Sequence, residues 1–302
     1  MKKSMFKVQH LSLLEKRKAP WAYVFLIPWL LLFSVFFAYP LVYGMVVSFY
    51  DYTLKGSPFV GVQNYIDLFK NYQFWRSFAG MLRYAVIQLP LQVFIPLWIA
   101  NVIKDHGKGF TNFTKVMIYL PGVLCSMAMI MVWKFAFHSA SGFISGFLRD
   151  ITGNPTLAIL NDPNYAIPLI ALLCVLSGMG GNLIIFSAAL NGIAPDYYDA
   201  AELDGATRHQ QFTKITIPLV KPTILYTLIT GTIGSLQIFM VPKLMTNGGP
   251  DYMTSTLLLM IYNYAFVENK FGYASAVACI LFVITTIVAV IQFRMNNSSN
   301  EY

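Results

Sequence analysis

The chain has 302 residues, of which 57% are hydrophobic and only 11% are charged, with a net charge of +8. Soluble domains carry ~25% charged residues, and the apolar residues here fall in long blocks, which excludes a water-soluble globular domain and indicates an all-α polytopic membrane protein. Anionic membrane lipid accounts for the positive balance, and no nucleic acid is called for.

In chain order, residues 1–18 read as a basic cytoplasmic tail ending in Lys16, Arg17 and Lys18. Crossing ~30 Å of hydrocarbon takes roughly 17–25 helical residues. Six uncharged runs are long enough: one between Lys18 and Asp51, then Tyr84–Ile103, Val116–Trp133, a run between Asp162 and Asp196, Pro222–Pro242 and Phe271–Phe293. The first is too long for the ~7–15-residue apolar core of a signal peptide and lacks a small-residue cleavage site, so it reads as an uncleaved span. A seventh run, Met253–Val267, is short and reads as an interfacial or re-entrant helix. One transmembrane domain over 19–294 is expected, followed by a polar tail, 295–302.

Orientation follows the lysines and arginines of the connections. With the N-terminus inside, the inner segments carry thirteen and the outer segments eight, so both termini are placed in the cytoplasm. Segments 51–83, 134–163 and 243–270 are then outer connections, and 104–115 and 194–221 are inner ones. Cys125, Cys174 and Cys279 lie inside spans as small apolar residues, and His10, His106, His138 and His209 show no metal-ligand spacing.

Helix breakers punctuate the spans. Pro90 and Pro96 stand among Gln88 and Gln92, "SGMGGN" occupies 177–182, and "GTIGSLQ" occupies 231–237. Small residues allow close helix packing. A polar, slightly broken midplane lining a translocation path reads equally well from the same residues.

The inner segment 194–221 stands out. "PDYYDAAELDGATRHQQF", 195–212, holds Asp196, Asp199, Glu202, Asp204 and Arg208 between long apolar runs. Pro195 suits a first helical position and the early aspartates suit the positive end of a helix. Gly205 supplies a residue able to leave helical geometry, so a second short helix is expected at about 206–213, before "ITIP" at 215–218. The result is an elbow of two short helices. It reads either as a docking knob or as a solvated loop whose charges keep it out of the bilayer.

"YDAAELDGA", with nine residues between Gly205 and Ile215 and then Ile217 and Pro218, resembles the EAA loop of ABC importer membrane subunits. The resemblance is closest to the carbohydrate importers, the maltose and glycerol-3-phosphate permease group. "VGVQNYIDLF" (60–69), "NGIAPDYYDAAELDGA" (191–206), "TNGGP" (246–250) and "FGYASA" (271–276) extend it over roughly 20–293. It implies a type I ABC importer permease fold in the cytoplasmic membrane and a coupling helix carried by Tyr198, Asp199, Ala200, Ala201, Glu202, Asp204, Gly205 and Ala206. Asp199 stands where the family usually has glutamate. The implied partners are a second homologous permease, a dimer of ATP-binding subunits and an extracytoplasmic sugar-binding protein. No phosphate-binding Gly-x-x-x-x-Gly-Lys-[Ser/Thr] occurs in the chain, so ATP and magnesium belong on the ATPase, no cofactor on this chain, and catalysis elsewhere. By the same resemblance, sugar contacts fall on spans four and five, with Gly178, Asn182, Ser235 and Gln237 as candidates beside a plain helix-packing role. An ion-coupled secondary transporter of a small polar solute is the alternative, but it wants an ionisable residue within a span, and the six runs have none. A membrane-embedded enzyme would need a cluster of histidines and carboxylates, and none is visible.

Overall fold

The computed structural model describes residues 25–123, 126–154 and 158–297. The tail 1–18 and most of 295–302 lie outside them. Among the described residues the structure is helical, as a bilayer demands of a chain that must satisfy its own backbone groups. The helices are α1 (Phe25–Val47), α2 (Gln63–Lys70), α3 (Tyr72–Ile103), α4 (Lys108–Val123), α5 (Ser126–Ala136), α6 (Phe143–Thr152), α7 (Pro163–Asn191), α8 (Asp196–Leu203), α9 (Arg208–Gln211), α10 (Lys221–Leu236), α11 (Met240–Met245), α12 (Leu257–Tyr262) and α13 (Phe271–Asn297).

Five helical segments are long and apolar enough to cross a membrane: α1, α3, α7, the α10–α11 stretch and α13. The sixth expected span is different. The run Val116–Trp133 is not one straight helix, because α4 and α5 lie at 91° to each other across the undescribed residues 124–125. At 16 residues, α4 spans only ~24 Å, and α5, at 11 residues, only ~16 Å. Pro121, inside α4, removes a backbone donor. Its neighbour Gly122 lies against the Ser177 carbonyl of α7, where no side chain would fit.

The uncharged runs also understate the helices. α3 begins at Tyr72, twelve residues before the expected Tyr84, so Arg76 and Arg83 sit in its first turns and not in a loop. Its 32 residues reach ~48 Å, and the extra turns project beyond the hydrocarbon. There this end of the bundle is tied together by polar contacts. Arg76 pairs with Asp251 at 3.1 Å, and Asn71 donates to the hydroxyls of Tyr264 and Tyr273 at 3.1 and 2.9 Å. Lys270 pairs with Glu268 at 2.7 Å, which raises the lysine above its ordinary pKa.

The short run Met253–Val267 folds into the bundle. Leu257, Leu259 and Met260 are fully buried, so α12 is not laid along an interface. Ser77 of α3 bonds Ser255 at 3.0 Å, and the Tyr84 hydroxyl donates to the Thr254 carbonyl at 3.0 Å. Gly80 admits the backbone of Ser255, and Gly272 admits that of Tyr50. Within lipid, such contacts hold by packing rather than by exclusion of water. Gly272→Ala is therefore expected to destabilise the purified protein by about 1–3 kcal/mol through overpacking. Thermal unfolding in detergent checks it, with Gly107→Ala, whose surroundings are open, as the silent control.

Three helices form the centre. α3, α7 and α10 meet around Val93, Leu97, Leu183, Phe186, Leu190 and Val220. α1, in contrast, is an outlier: no residue of its most apolar 18-residue window is buried within the chain. It carries a ladder of Trp29, Phe33 and Phe37, stacked at 5.4 and 6.0 Å, and touches the bundle near its C-terminal end.

Candidate functional site

The elbow joins α7 to α10. α8 starts after Pro195 and puts Asp196 and Asp199 in its first turn, where the helix dipole favours them. Its exit is a Schellman turn. The Ala206 N–H reaches back to the Ala201 carbonyl at 2.9 Å and the Gly205 N–H to the Glu202 carbonyl at 3.0 Å. Gly205 is left-handed there, with φ +77°, the conformation that glycine alone adopts freely. α9 is opened by a capping box in which Thr207 and Gln210 bond each other's backbone N–H. That signal, T-x-x-Q, was open to view in the sequence and was not part of the expectation. The second helix is accordingly shorter than expected, 208–211, and passes into a π-helical turn, Phe212–Thr216. There the Ile217 N–H reaches the Phe212 carbonyl, directly before Pro218, which has no N–H to offer.

The elbow is rooted in the bundle at several points. The Tyr198 hydroxyl bonds the buried Thr216 hydroxyl at 2.9 Å. Lys104, in the turn between α3 and α4, stands 3.8 Å from the centre of the Tyr198 ring. Asp105 in the same turn meets Arg208 at 3.3 Å. Phe212 and Val220 pack into the α3–α7–α10 centre. A polar cleft of about 690 Å³, lined in part by Asn101, Lys104, Asp199, Glu202 and Gln211, lies between elbow and turn. This whole assembly is at the opposite end of the bundle from the Arg76–Asp251 contact.

The expected coupling residues thus divide into two groups. Tyr198 points inward as an anchor, and Ala201 and Ala206 are half-buried within the turn. Asp199, Ala200, Glu202, Asp204 and Gly205 are exposed. Leu203, which the sequence reading left out, is 90% exposed, more than any other large apolar side chain described. The signal was present as a lone leucine inside an acidic helix. The elbow therefore offers a small apolar tip on a short helix that also exposes Asp196, Asp199, Glu202 and, just past its end, Asp204. Tyr198→Phe is expected to loosen the root by about 1 kcal/mol through loss of one hydrogen bond, whereas Asp105→Ala, which breaks an exposed ion pair, should cost under ~1 kcal/mol. Limited proteolysis of the elbow ranks the two.

The four candidate path residues sit in different local surroundings. Asn182 donates to the backbone carbonyl of Gln92 at 3.0 Å. That carbonyl lost its helical partner because Pro96 has no N–H, so Asn182 ties α7 to α3. Gly178 lies against the Gln92 amide. Ser235 is buried and bonds the Thr232 carbonyl of its own helix at 2.9 Å. Gln237 is exposed where α10 ends, three residues before α11 resumes the span. Helical structure is therefore interrupted at 237–239, while α7 runs unbroken through "SGMGGN". There Gly180 lets the α4 backbone at Tyr119 approach, which is close packing.

The chain matches the family described as "Binding-protein-dependent transport system inner membrane component" over residues 92–298. It is 32% identical to the lactose transport system permease protein LacF of Rhizobium radiobacter, covering 90% of this chain and 92% of that one. It is 30% identical to the multiple sugar-binding transport system permease protein MsmF of Streptococcus mutans (91% and 95% covered), and 26% identical to the trehalose/maltose permease protein MalF of Thermococcus litoralis (94% and 96%). Its fold is shared with a chain of a bacterial ABC transporter involved in import of the acidic polysaccharide alginate, with a TM-score of 0.82 at 23% identity, covering 95% and 98%. Five membrane-long apolar segments with one bent helix pair, a helical elbow between α7 and α10 and these matches agree: the chain belongs to the family of inner membrane components of binding-protein-dependent transport systems.

Proposed function

We propose that the chain is the permease subunit of an ATP-driven importer that carries a sugar or oligosaccharide inward, and that a separate ATPase drives it through the elbow 195–218. The observation that carries the mechanical half is the elbow itself: an exposed leucine and four carboxylates on a knob rooted in three spans. Residues that reach the central helix contacts, such as Phe212, transmit any force on the knob to α3, α7 and α10. A bound partner shifts such an equilibrium only by contacting the two states differently, and the knob is placed to do so. The substrate half rests on the relatives, whose names specify lactose, multiple sugars and trehalose/maltose.

In this reading a dimer of ATP-binding subunits holds the ATP and magnesium, and the elbow faces the cytoplasm with both termini. The opposite end, around Arg76, Asp251 and Lys270, receives an extracytoplasmic binding protein. A solved relative in the same fold is an alginate transporter in complex with an alginate pentasaccharide-bound periplasmic protein, with a TM-score of 0.83 at 23% identity. A second, homologous permease and membrane lipid cover the apolar faces of α1 and α13. The ion-coupled alternative gives way to the family membership.

Purification from the native membrane tests the reading. An ATPase and a second permease should co-isolate, and the reconstituted complex with its binding protein should accumulate labelled sugar only with ATP. Uptake by the lone chain, or uptake driven by an ion gradient without ATP, would overturn it.

A further inference from the structure

Gln88 and Gln92 lie one turn apart on α3, at the middle of a 32-residue helix. Amides are costly within a bilayer, and they are usually kept there to tie helices together. These two do not. The Gln88 amide donates to the Gln92 side-chain oxygen at 3.2 Å, so the pair is bonded within one helix. The tie between helices is made instead by Asn182, on the Gln92 backbone.

The bond leaves both amides incomplete. The second polar atom of Gln88, its Oε1, is buried and has no partner, although the residue is 7% exposed. The Gln92 side-chain nitrogen likewise has no bond among the described contacts. Reversing both amides exchanges the roles but still leaves one unpaired atom on each. The pair thus keeps one free acceptor and one free donor, and a hydroxyl group, which offers one hydrogen and accepts another, can answer either.

The neighbouring helices pack closely on this pair through glycine. On α7, a side chain at Gly178 would stand 3.3 Å from the Gln92 amide nitrogen. On α10, one at Gly231 would stand 3.7 Å from its amide oxygen. Glycine on both flanks keeps side chains off the Gln92 amide at the junction of three spans. Neither glycine is required by its backbone conformation.

From this we infer that Gln88 and Gln92 form a cargo-hydroxyl site on the translocation path, reached when α7 or α10 withdraws from α3. It rests on the sugar-import reading above and names a contact on the second span, outside the candidates of spans four and five.

The test uses the complete reconstituted transporter with its binding protein. Labelled lactose, maltose, trehalose and an alginate oligosaccharide are the probes. For whichever probe the wild type accumulates, Gln88→Met and Gln92→Met should each lower kcat/KM for uptake roughly tenfold, the scale of one or two lost neutral hydrogen bonds. Gln92→Asn should retain part of the uptake. Yield of assembled complex and its Tm should be unchanged, since the amides tie nothing together. Unchanged uptake in both methionine variants overturns the inference and leaves a trapped-water site. Loss of assembly or of Tm also overturns it, as that would make the pair structural glue. If the wild type accumulates none of the four, the sugar reading fails, and the site falls with it.

Discussion

Leu203→Asp is expected to leave the chain folded and inserted while reducing recovery of the ATPase with it by roughly thirtyfold or more. Leu203 is 90% exposed, so its loss removes almost no packing within the subunit, and a surface change of this kind costs within about 0.5 kcal/mol. At a docked knob the cost is of another order. An apolar anchor desolvated at the centre of an interface contributes about 2 kcal/mol or more, and a buried, unpaired carboxylate adds to that. The two costs fall on different measurements. Detergent unfolding of the isolated chain reports the first, and co-purification or ATP-dependent uptake reports the second. Equal loss in both would mean that Leu203 supports the fold. No loss in either would mean that the tip touches nothing.

Gly205→Val is the second large expectation. No atom lies within 4 Å of where its Cβ would stand, so steric exclusion is not the reason glycine is there. The reason is φ of +77°. A β-branched residue held in the left-handed region costs about 1–2 kcal/mol or more, and relief comes by reopening the turn. The Ala206–Ala201 and Gly205–Glu202 bonds then break, and α8 no longer meets α9 at its present angle. Uptake should fall at least tenfold with insertion intact, and ATP hydrolysis should continue without transport. Gly205→Asn should be milder, because asparagine tolerates this conformation. The order Gly, Asn, Val in uptake per ATP is the diagnostic. If valine and asparagine behave alike, backbone geometry is not what the position supplies.

Much of the fold could be read from hydropathy because a bilayer enforces one rule: an uncharged stretch of sufficient length becomes a helix. The rule locates the apolar middle of a helix, not its ends. It missed the twelve N-terminal residues of α3 because Arg76 and Arg83 are charged, though they lie beyond the apolar zone and helix formation continues through them. It also saw Val116–Trp133 as continuous, since hydropathy carries no information about direction. Pro121 and Gly122 carried that information and went unread.

The elbow was legible in more detail. Pro195, the early aspartates and Gly205 each act locally, within one turn, so sequence suffices to place them. What sequence could not supply was sidedness. Tyr198 and Leu203 are both large and apolar-faced, yet one is bonded to Thr216 and the other projects from the end of the helix. The partner of Asn182 was hidden for the related reason that it answers a need created by Pro96, eighty-six residues earlier. That need appears only once α3 and α7 are side by side.

Disulfide trapping at the elbow addresses the central claim most directly. Ala200 is exposed on α8 and small enough to replace without loss of packing. Ala200→Cys, in a chain whose own three cysteines are replaced by serine or alanine, is oxidised in native membranes beside single cysteines placed along the cleft of the co-expressed ATPase. A covalent adduct between the two chains, with a yield that changes when ATP is added, is the predicted result. Labelling of that cysteine by a membrane-impermeant maleimide from the extracytoplasmic side of intact cells, with no adduct formed, would contradict it.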